Sequence, residues 1–359
     1  MPSLKMDLAE SAGQADPTRR VTMRDIAKAV GVSVSAVSLA MKNSPRVSVG
    51  VRQKIQATIK ELGYRPDPFL SVLSHYRRSK SIAPISAELA WINCWPNPKK
   101  LRSYREFDCY WQGATEEAKR NGFRLEAFNL RDCETIERLE NILHARNVRG
   151  ILIPPHGAQN IKWGDFRWDD YCLIRFGHSI QNPRAHIVTS DQLTDGMIAF
   201  ENIWNKGYRR IGYVATRGSS IKTARFSAGF LQGQLKVNAK LKLPPLLLDE
   251  TNYQKDESAF LSWLRKTRPD AIFTDLAYLR GVLIKAGYKV PSDIGLVATS
   301  VLDGNATAGI DQNSKEIGKA AIQMLISLIN HNERGIPEFC RELLIEGTWR
   351  DGDTLPSRI

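Results

Sequence analysis

Three hydroxyl residues, Thr22, Ser33 and Ser48, each stand directly ahead of a short stretch with helical apolar spacing, and basic side chains crowd around them. A hydroxyl in that place can accept a first-turn amide, and a capped helix N-terminus among Lys and Arg residues suits a phosphate. The charge is concentrated to match. Residues 20–80 hold twelve Lys or Arg against three acidic residues, which is most of the chain's net charge of +13. A local basic excess of this kind is the footprint of a nucleic-acid backbone.

The elements that must position these groups are three short helices. The first opens at Thr22, carries Asp25 in its positive first turn and stops at Gly31. Ser33 caps the second, where Val34, Val37, Ala40 and Met41 recur at helical spacing and Ser35, Ser38 and Leu39 fall on other faces. Ser48 caps the third, with Val51, Ile55, Ile59 and Leu62 in one stripe and Gly63 as the left-handed stop. Helices this short are unstable alone, so they must share one small core. Two helices joined by a Gly-containing turn form a helix-turn-helix, whose second helix lies in the major groove of DNA. An ordinary helical hairpin is the alternative, and the charge argues against it.

From Pro84 onward short apolar runs alternate with helical stretches, the pattern of parallel sheets with crossover helices. Strands are predicted at 89–94, 124–128, 150–153, 172–176, 211–214, 271–273 and 295–299, and helices at 107–121, 193–206 and 314–330. That is too many strands for one sheet, so two doubly wound lobes with a cleft between them are expected.

The stretches VTMRDIAKAVGVSVSAVS, RVSVGVRQKI and ELGYRPDPFLSVL resemble the headpiece of the lactose-repressor and galactose-repressor family of bacterial transcription regulators, and the similarity continues at lower density to the C-terminus. The resemblance implies a small all-α helix-turn-helix head and an α/β core of two parallel-sheet lobes like periplasmic sugar-binding proteins. The corresponding divisions are a flexible tail over 1–19, a DNA-binding domain over 20–66, a hinge helix and linker over 67–83, and a sensing and dimerisation unit over 84–359. Within that unit lobe 1 is expected at about 84–186 and 312–340 and lobe 2 at about 187–311 and 341–359, with crossings near Ile187, Asp311 and Cys340.

Pro66 forbids helix before it, Asp67 is a good N-cap and Pro68 suits a first helical position, so a short helix with Phe69, Leu70, Val72 and Leu73 should start there. A linker packed on a domain is one reading. The resemblance makes it a hinge helix that orders on DNA, with Leu73 as a minor-groove wedge. Where many family members place an Arg in the reading helix this chain has Leu39, and Val34 and Ser35 open that helix. These offer methyl contacts or single hydroxyl bonds in place of a bidentate fork. Thr22, Ser33, Ser38, Lys42, Asn43, Arg46 and Ser48 suit phosphates, which fix register and carry no sequence information.

Ligands of open α/β sheets bind beyond the carboxyl ends of strands. The first strand exits into Trp95 with Tyr104 and Phe107 following, and the third into Pro154, Pro155 and His156. Flat aromatics beside polar groups suit sugars and other small polar rings, although for any single ring core packing is the better reading. By position the resemblance marks Phe107, Pro154, His156, Ser220, Phe226, Thr274, Ser300 and Gln312 as equivalents of family ligand contacts. Arg225, Asp275 and Asp303 stand beside places where the family has its polar clamp, which is here displaced. The effector is therefore expected to be a small polar metabolite, carbohydrate-like, without a typical hexose being assumed.

The five cysteines are odd in number and lack paired short spacing, so neither a disulfide framework nor a zinc site is expected, and no cofactor. Glycine-rich phosphate loops, nucleophile elbows and paired metal histidines are missing, which argues against an enzyme. No apolar run is long enough to span a bilayer, and no secretory pattern opens the chain, so a cytoplasmic location away from membranes is expected. The partners expected are a double-stranded pseudo-palindromic operator, the effector and a second copy in a homodimer, with Ser314–Asn330 and the region of Phe107–Asn121 as contacts between copies. An architectural DNA-bending protein without ligand sensing is the alternative.

Overall fold

A computed structural model of the chain describes residues 21–41, 44, 46–62, 64, 87–156, 161–217, 221–249 and 253–359. The tail, Lys42, Asn43, Gly63, the hinge segment with Leu73, and Ser220 lie outside the described residues. The contacts divide into two units, one within 1–76 and one over 77–359.

The smaller unit holds α1 (Met23–Val30), α2 (Val34–Met41) and α3 (Val49–Glu61). Thr22 closes a capping box: its hydroxyl accepts from the Asp25 amide at 3.4 Å, and its own amide donates to Asp25 Oδ2 at 2.8 Å. Gly31 ends α1 at φ 73°, and Ser33 Oγ accepts from the Ala36 amide at 3.1 Å. Ser48 differs from expectation, since it precedes α3 without a side-chain cap bond. There the Arg52 guanidinium fixes the connection, donating to Ser44 O at 2.8 Å and Val47 O at 3.1 Å. Ile26, Val37, Ala40 and Ile55 are fully buried, and each of the three larger side chains contributes about 1.5–3 kcal/mol of burial free energy. Leu39 also differs, being half-buried against this core, whereas Val34 is left exposed.

The larger unit contains two six-stranded sheets. The first runs β11-β5-β4-β3-β1-β2, with β1 (Ala87–Asn93), β2 (Phe123–Asn129), β3 (Gly150–Ile153), β4 (Cys172–Phe176), β5 (His186–Ser190) and β11 (Glu342–Ile345), all parallel. The second repeats that order as β12-β10-β9-β8-β6-β7, with β6 (Ile211–Thr216), β7 (Leu246–Leu248), β8 (Ala271–Thr274), β9 (Gly295–Ala298), β10 (Ala308–Asp311) and an antiparallel edge β12 (Thr348–Arg350). β5 and β11 belong to the first sheet, so the chain crosses after Ser190 and again between Ile345 and Thr348, later than the expected Ile187 and Cys340. The middle crossing follows Asp311. β5, β7, β10, β11 and β12 are not among the strands predicted from sequence; β5 and β10 interrupt their apolar run with His186, Thr189 and Ser190 or with Gly309 and Asp311, unlike β3, β8 and β9.

Helices cover both faces of each sheet: α4 (Pro98–Leu101), α5 (Arg105–Arg120), α6 (Leu130–Cys133), α7 (Ile136–Ala145) and α12 (Ser314–His331) in lobe 1, and α8 (Gln192–Asn205), α9 (Ile221–Gln234), α10 (Tyr253–Thr267) and α11 (Leu279–Lys285) in lobe 2. α5 packs on α12 so closely that a Cβ at Gly113 would lie 1.9 Å from the Lys315 carbonyl oxygen, and one at Gly318 would lie 2.1 Å from that of Tyr110. α12 buries Ile317, Ala321, Ile322 and Leu325 inside its own lobe. Its apolar face, expected between copies, is therefore consumed within one chain. Among the described residues no helix is long and apolar enough to cross a membrane.

Candidate functional site

Lobe 1 changes winding direction between β1 and β3, so the loops leaving these strands diverge and open a crevice. Two side chains stitch the loops across it. The Trp95 indole N–H donates to Pro155 O at 2.9 Å, and His156 Nε2 lies 2.6 Å from Cys94 O. A cleft of about 280 Å³ results. Trp95, Tyr104, Phe107, Tyr110 and Phe176 form one aromatic arc along it, with successive ring centroids 5.2–5.9 Å apart and Tyr110 stacked on Phe176. The close α5–α12 crossing holds Tyr110 in that arc, because Gly318 sits against its backbone.

Polar groups enter from the β4 exit and the first two crossings. His178 and Ser179 follow Phe176, and Thr189, Gln192 and Gln312 complete the lining. Burial and the nearby Arg225 hold the His178 imidazole below its ordinary pKa, so it is neutral at pH 7. Gln312 ties the crossings, accepting from Ser190 Oγ at 2.7 Å and donating to Thr299 O at 2.9 Å. Gln192 donates to Thr189 Oγ1 and Ser190 Oγ, each at 3.0 Å.

Of the ligand positions expected from sequence, Trp95, Phe107, His156 and Gln312 come together here, and Pro154 is buried just behind His156. The other described positions do not line the cleft. Phe226 is core, 2 % exposed and edge-on to Phe273. Thr274 Oγ1 accepts from the Leu276 amide at 3.0 Å, Asp275 Oδ1 from the Thr216 amide at 3.0 Å, and Ser300 is buried. Arg225 donates to Glu342 Oε2 at 2.7 Å, from lobe 2 to lobe 1. Asp303 likewise reaches across, accepting from the amides of Arg105 at 2.8 Å and Glu106 at 3.0 Å at the N-terminus of α5, where a carboxylate is favoured. Sequence reasoning missed Tyr110, Phe176, His178 and Gln192. The exit of the fourth strand was a usable signal for Phe176 and His178, but nothing local marks Tyr110 or Gln192.

Beneath the cleft Asp195 is fully buried on α8 and accepts from the Gly347 amide at 2.8 Å, joining the first and third crossings. Burial, against that hydrogen bond, pushes its pKa up to about 7, with Asp191, Glu346 and Glu106 adding like charge.

In the head, Thr22, Ser33, Val34, Ser35, Arg46 and Ser48 are exposed and Ser38 is half-buried. Three hydroxyls thus stand at three helix N-termini, and α2 begins with Val34 and Ser35 open to solvent.

Residues 22–67 match the description "Bacterial regulatory proteins, lacI family", and residues 200–348 match "Periplasmic binding protein-like domain". The chain is 22 % identical over 335 residues to the HTH-type transcriptional regulator MalR of Streptococcus pneumoniae serotype 4, covering 90 % of this chain and 97 % of that protein. It is 21 % identical to the transcriptional repressor PurR of Mannheimia succiniciproducens, covering 87 % and 93 %. Among solved structures, the transcriptional regulator CelR in complex with cellobiose aligns with a TM-score of 0.55 at 20 % identity, covering 93 % of this chain and all of that one. The lac repressor dimer bound to operator and the anti-inducer ONPF aligns with a TM-score of 0.51 at 17 % identity, covering 94 % and 100 %. The chain thus carries a head that matches the lacI family of bacterial regulatory proteins and a periplasmic-binding-protein-like core, and it is similar to HTH-type transcriptional regulators over about nine tenths of its length.

Proposed function

We propose that the protein binds a pseudo-palindromic operator as a homodimer, acts as a repressor, and changes its DNA affinity when a small polar, carbohydrate-like metabolite enters the cleft of lobe 1. The observation that carries this reading is the placement of the cleft: Gln192 and Gln312, which lead out of two interlobe crossings, line it together with the lobe 1 aromatics. A ligand there touches the segments about which the lobes must turn. It can shift the lobe arrangement only by its differential affinity, typically about 1–3 kcal/mol, or roughly 5- to 150-fold in operator affinity.

On the DNA side, Val34 and Ser35 read bases by methyl and hydroxyl contact, with the free edge of Leu39 beside them, while Thr22, Ser33, Ser38, Arg46 and Ser48 contact phosphates together with Lys42 and Asn43. Leu73 serves as the hinge wedge. Operator selection with the full chain, followed by anisotropy titrations at fixed salt with and without candidate metabolites, tests the whole reading. A palindromic site whose affinity moves with ligand is expected. A metabolite that binds the cleft and leaves operator affinity unchanged would count for an architectural role instead.

A further inference from the structure

We infer that the cleft takes an uncharged ring compound bearing O–H or N–H donors and turns away its phosphorylated and acidic congeners. The inference rests on the reading of the cleft as an effector site and specifies its chemistry. Among the described residues, the lining holds no Lys, Arg, Asp or Glu. The charged groups that could have reached a ligand are engaged elsewhere: Arg225 with Glu342 at 2.7 Å, Asp303 with the amides of Arg105 and Glu106, and Asp275 with the amide of Thr216. Lys100 is exposed, its ammonium 5.6 Å from the centroid of the Trp95 ring and outside the cleft lining. A phosphate or carboxylate entering the cleft would exchange water for aromatic surface with no guanidinium to meet it, and burying an unpaired charge is costly.

The field at the floor of the cleft also has the wrong sign for an anion. Glu106 is 4 % exposed and Asp195 fully buried, and together with Asp303 they act on the Tyr110 hydroxyl, which burial first and then these three carboxyls hold in its protonated form. An anion resting on Tyr110 would face the same carboxyls, of which Asp195, with its pKa about 7, carries only part of a charge near neutral pH.

The hydrogen-bonding groups call for donors. Gln192 Nε2 is used by Thr189 and Ser190, which fixes Oε1 as an acceptor, and among the described residues Oε1 has no partner. His178 Nε2 is also buried without a hydrogen-bond partner, and Glu342 stands 3.9 Å from it. Buried polar atoms are seldom left unpaired, and a hydroxyl or ring N–H would satisfy Gln192 where a carboxylate would set lone pair against lone pair. The flat faces of Trp95, Phe107 and Tyr110 suit a ring, and about 280 Å³ is at the small end for ligand sites, so one or two rings fill it.

The test uses the full-length protein and matched compounds: glucose, glucose 6-phosphate and glucuronate, then hypoxanthine, inosine and inosine 5′-monophosphate, each measured by calorimetry and by thermal shift. The best binder should be uncharged, with its anionic congener roughly tenfold weaker or worse. An anion that binds as well as its neutral counterpart overturns the inference while leaving the effector reading in place. If no compound of either charge binds, the effector reading falls, and this inference with it.

Discussion

The two lobes are built to one plan and differ at the reversal of winding, besides the antiparallel edge strand of lobe 2. Each has the same strand order, a reversal of winding between its first and third strands, and a pair of helices in near-contact, α5 with α12 through Gly113 and Gly318, α8 with α9 through Gly196 and Gly229. At the reversal lobe 1 leaves a cleft walled by Trp95, Phe107 and Tyr110. In lobe 2 Phe226, Phe230 and Phe273 are all buried in one core. The same residue type therefore lines an open cleft in one lobe and closes a core in the other, and what separates them is whether the ring is fully enclosed.

The largest expected effect tests that division directly. Phe226→Ala should lower unfolding free energy by about 3–5 kcal/mol through lost burial and a cavity, whereas Phe107→Ala, at a half-buried wall, should cost under about 2 kcal/mol and weaken an effector about tenfold or more. Denaturant titration and calorimetry on both variants check this, and equal stability losses would erase the distinction.

Next in size is the buried acid between the lobes. A folded-state pKa of about 7 for Asp195 lies above the unfolded value, so the unfolded chain loses its proton first and stability falls as pH rises from about 4 to about 7. Asp195→Asn removes that fall. The variant should match the parent near pH 4 and exceed it by up to about 4 kcal/mol at pH 8; a pH-independent difference between the two melting curves would refute the assignment.

The helix crossings should respond alike in both lobes. Gly113→Ala and Gly229→Ala each put a Cβ about 2 Å from a carbonyl oxygen, of Lys315 and Leu193 respectively. Each should cost about 1–3 kcal/mol or more, and the lobe 1 change should weaken effector binding more, since it displaces Tyr110, whereas the lobe 2 change reaches the cleft only through Leu193 beside Gln192. Matched losses of affinity from both would show that the cleft depends on lobe 2 as much as on lobe 1.

The smallest effect concerns the clasp between lobes. Arg225→Gln breaks the pair with Glu342, whose side chains are 26 % and 32 % exposed, and should cost only about 0.2–1 kcal/mol, less at high salt. Melting temperatures across a salt series measure it, and an effect that grows with salt would contradict an ion pair.

Much of this molecule follows from local sequence. The capping residues Thr22 and Ser33, the stop at Gly31 and the stripe through Ile55 specify the head, because caps and periodicity act within a few residues. The alternation of apolar runs and helices specifies two parallel-sheet lobes for the same reason. Tertiary structure alone decided which aromatics line an open cleft. Phe107 and Phe226 have similar local surroundings, and only the packing of distant strands leaves one at an open edge and encloses the other. It also decided the fate of charge: Asp303 could have clamped a ligand, yet it lies against amides nearly two hundred residues earlier in the chain. Contacts over such separations depend on how whole lobes meet, and no short window of sequence contains both partners.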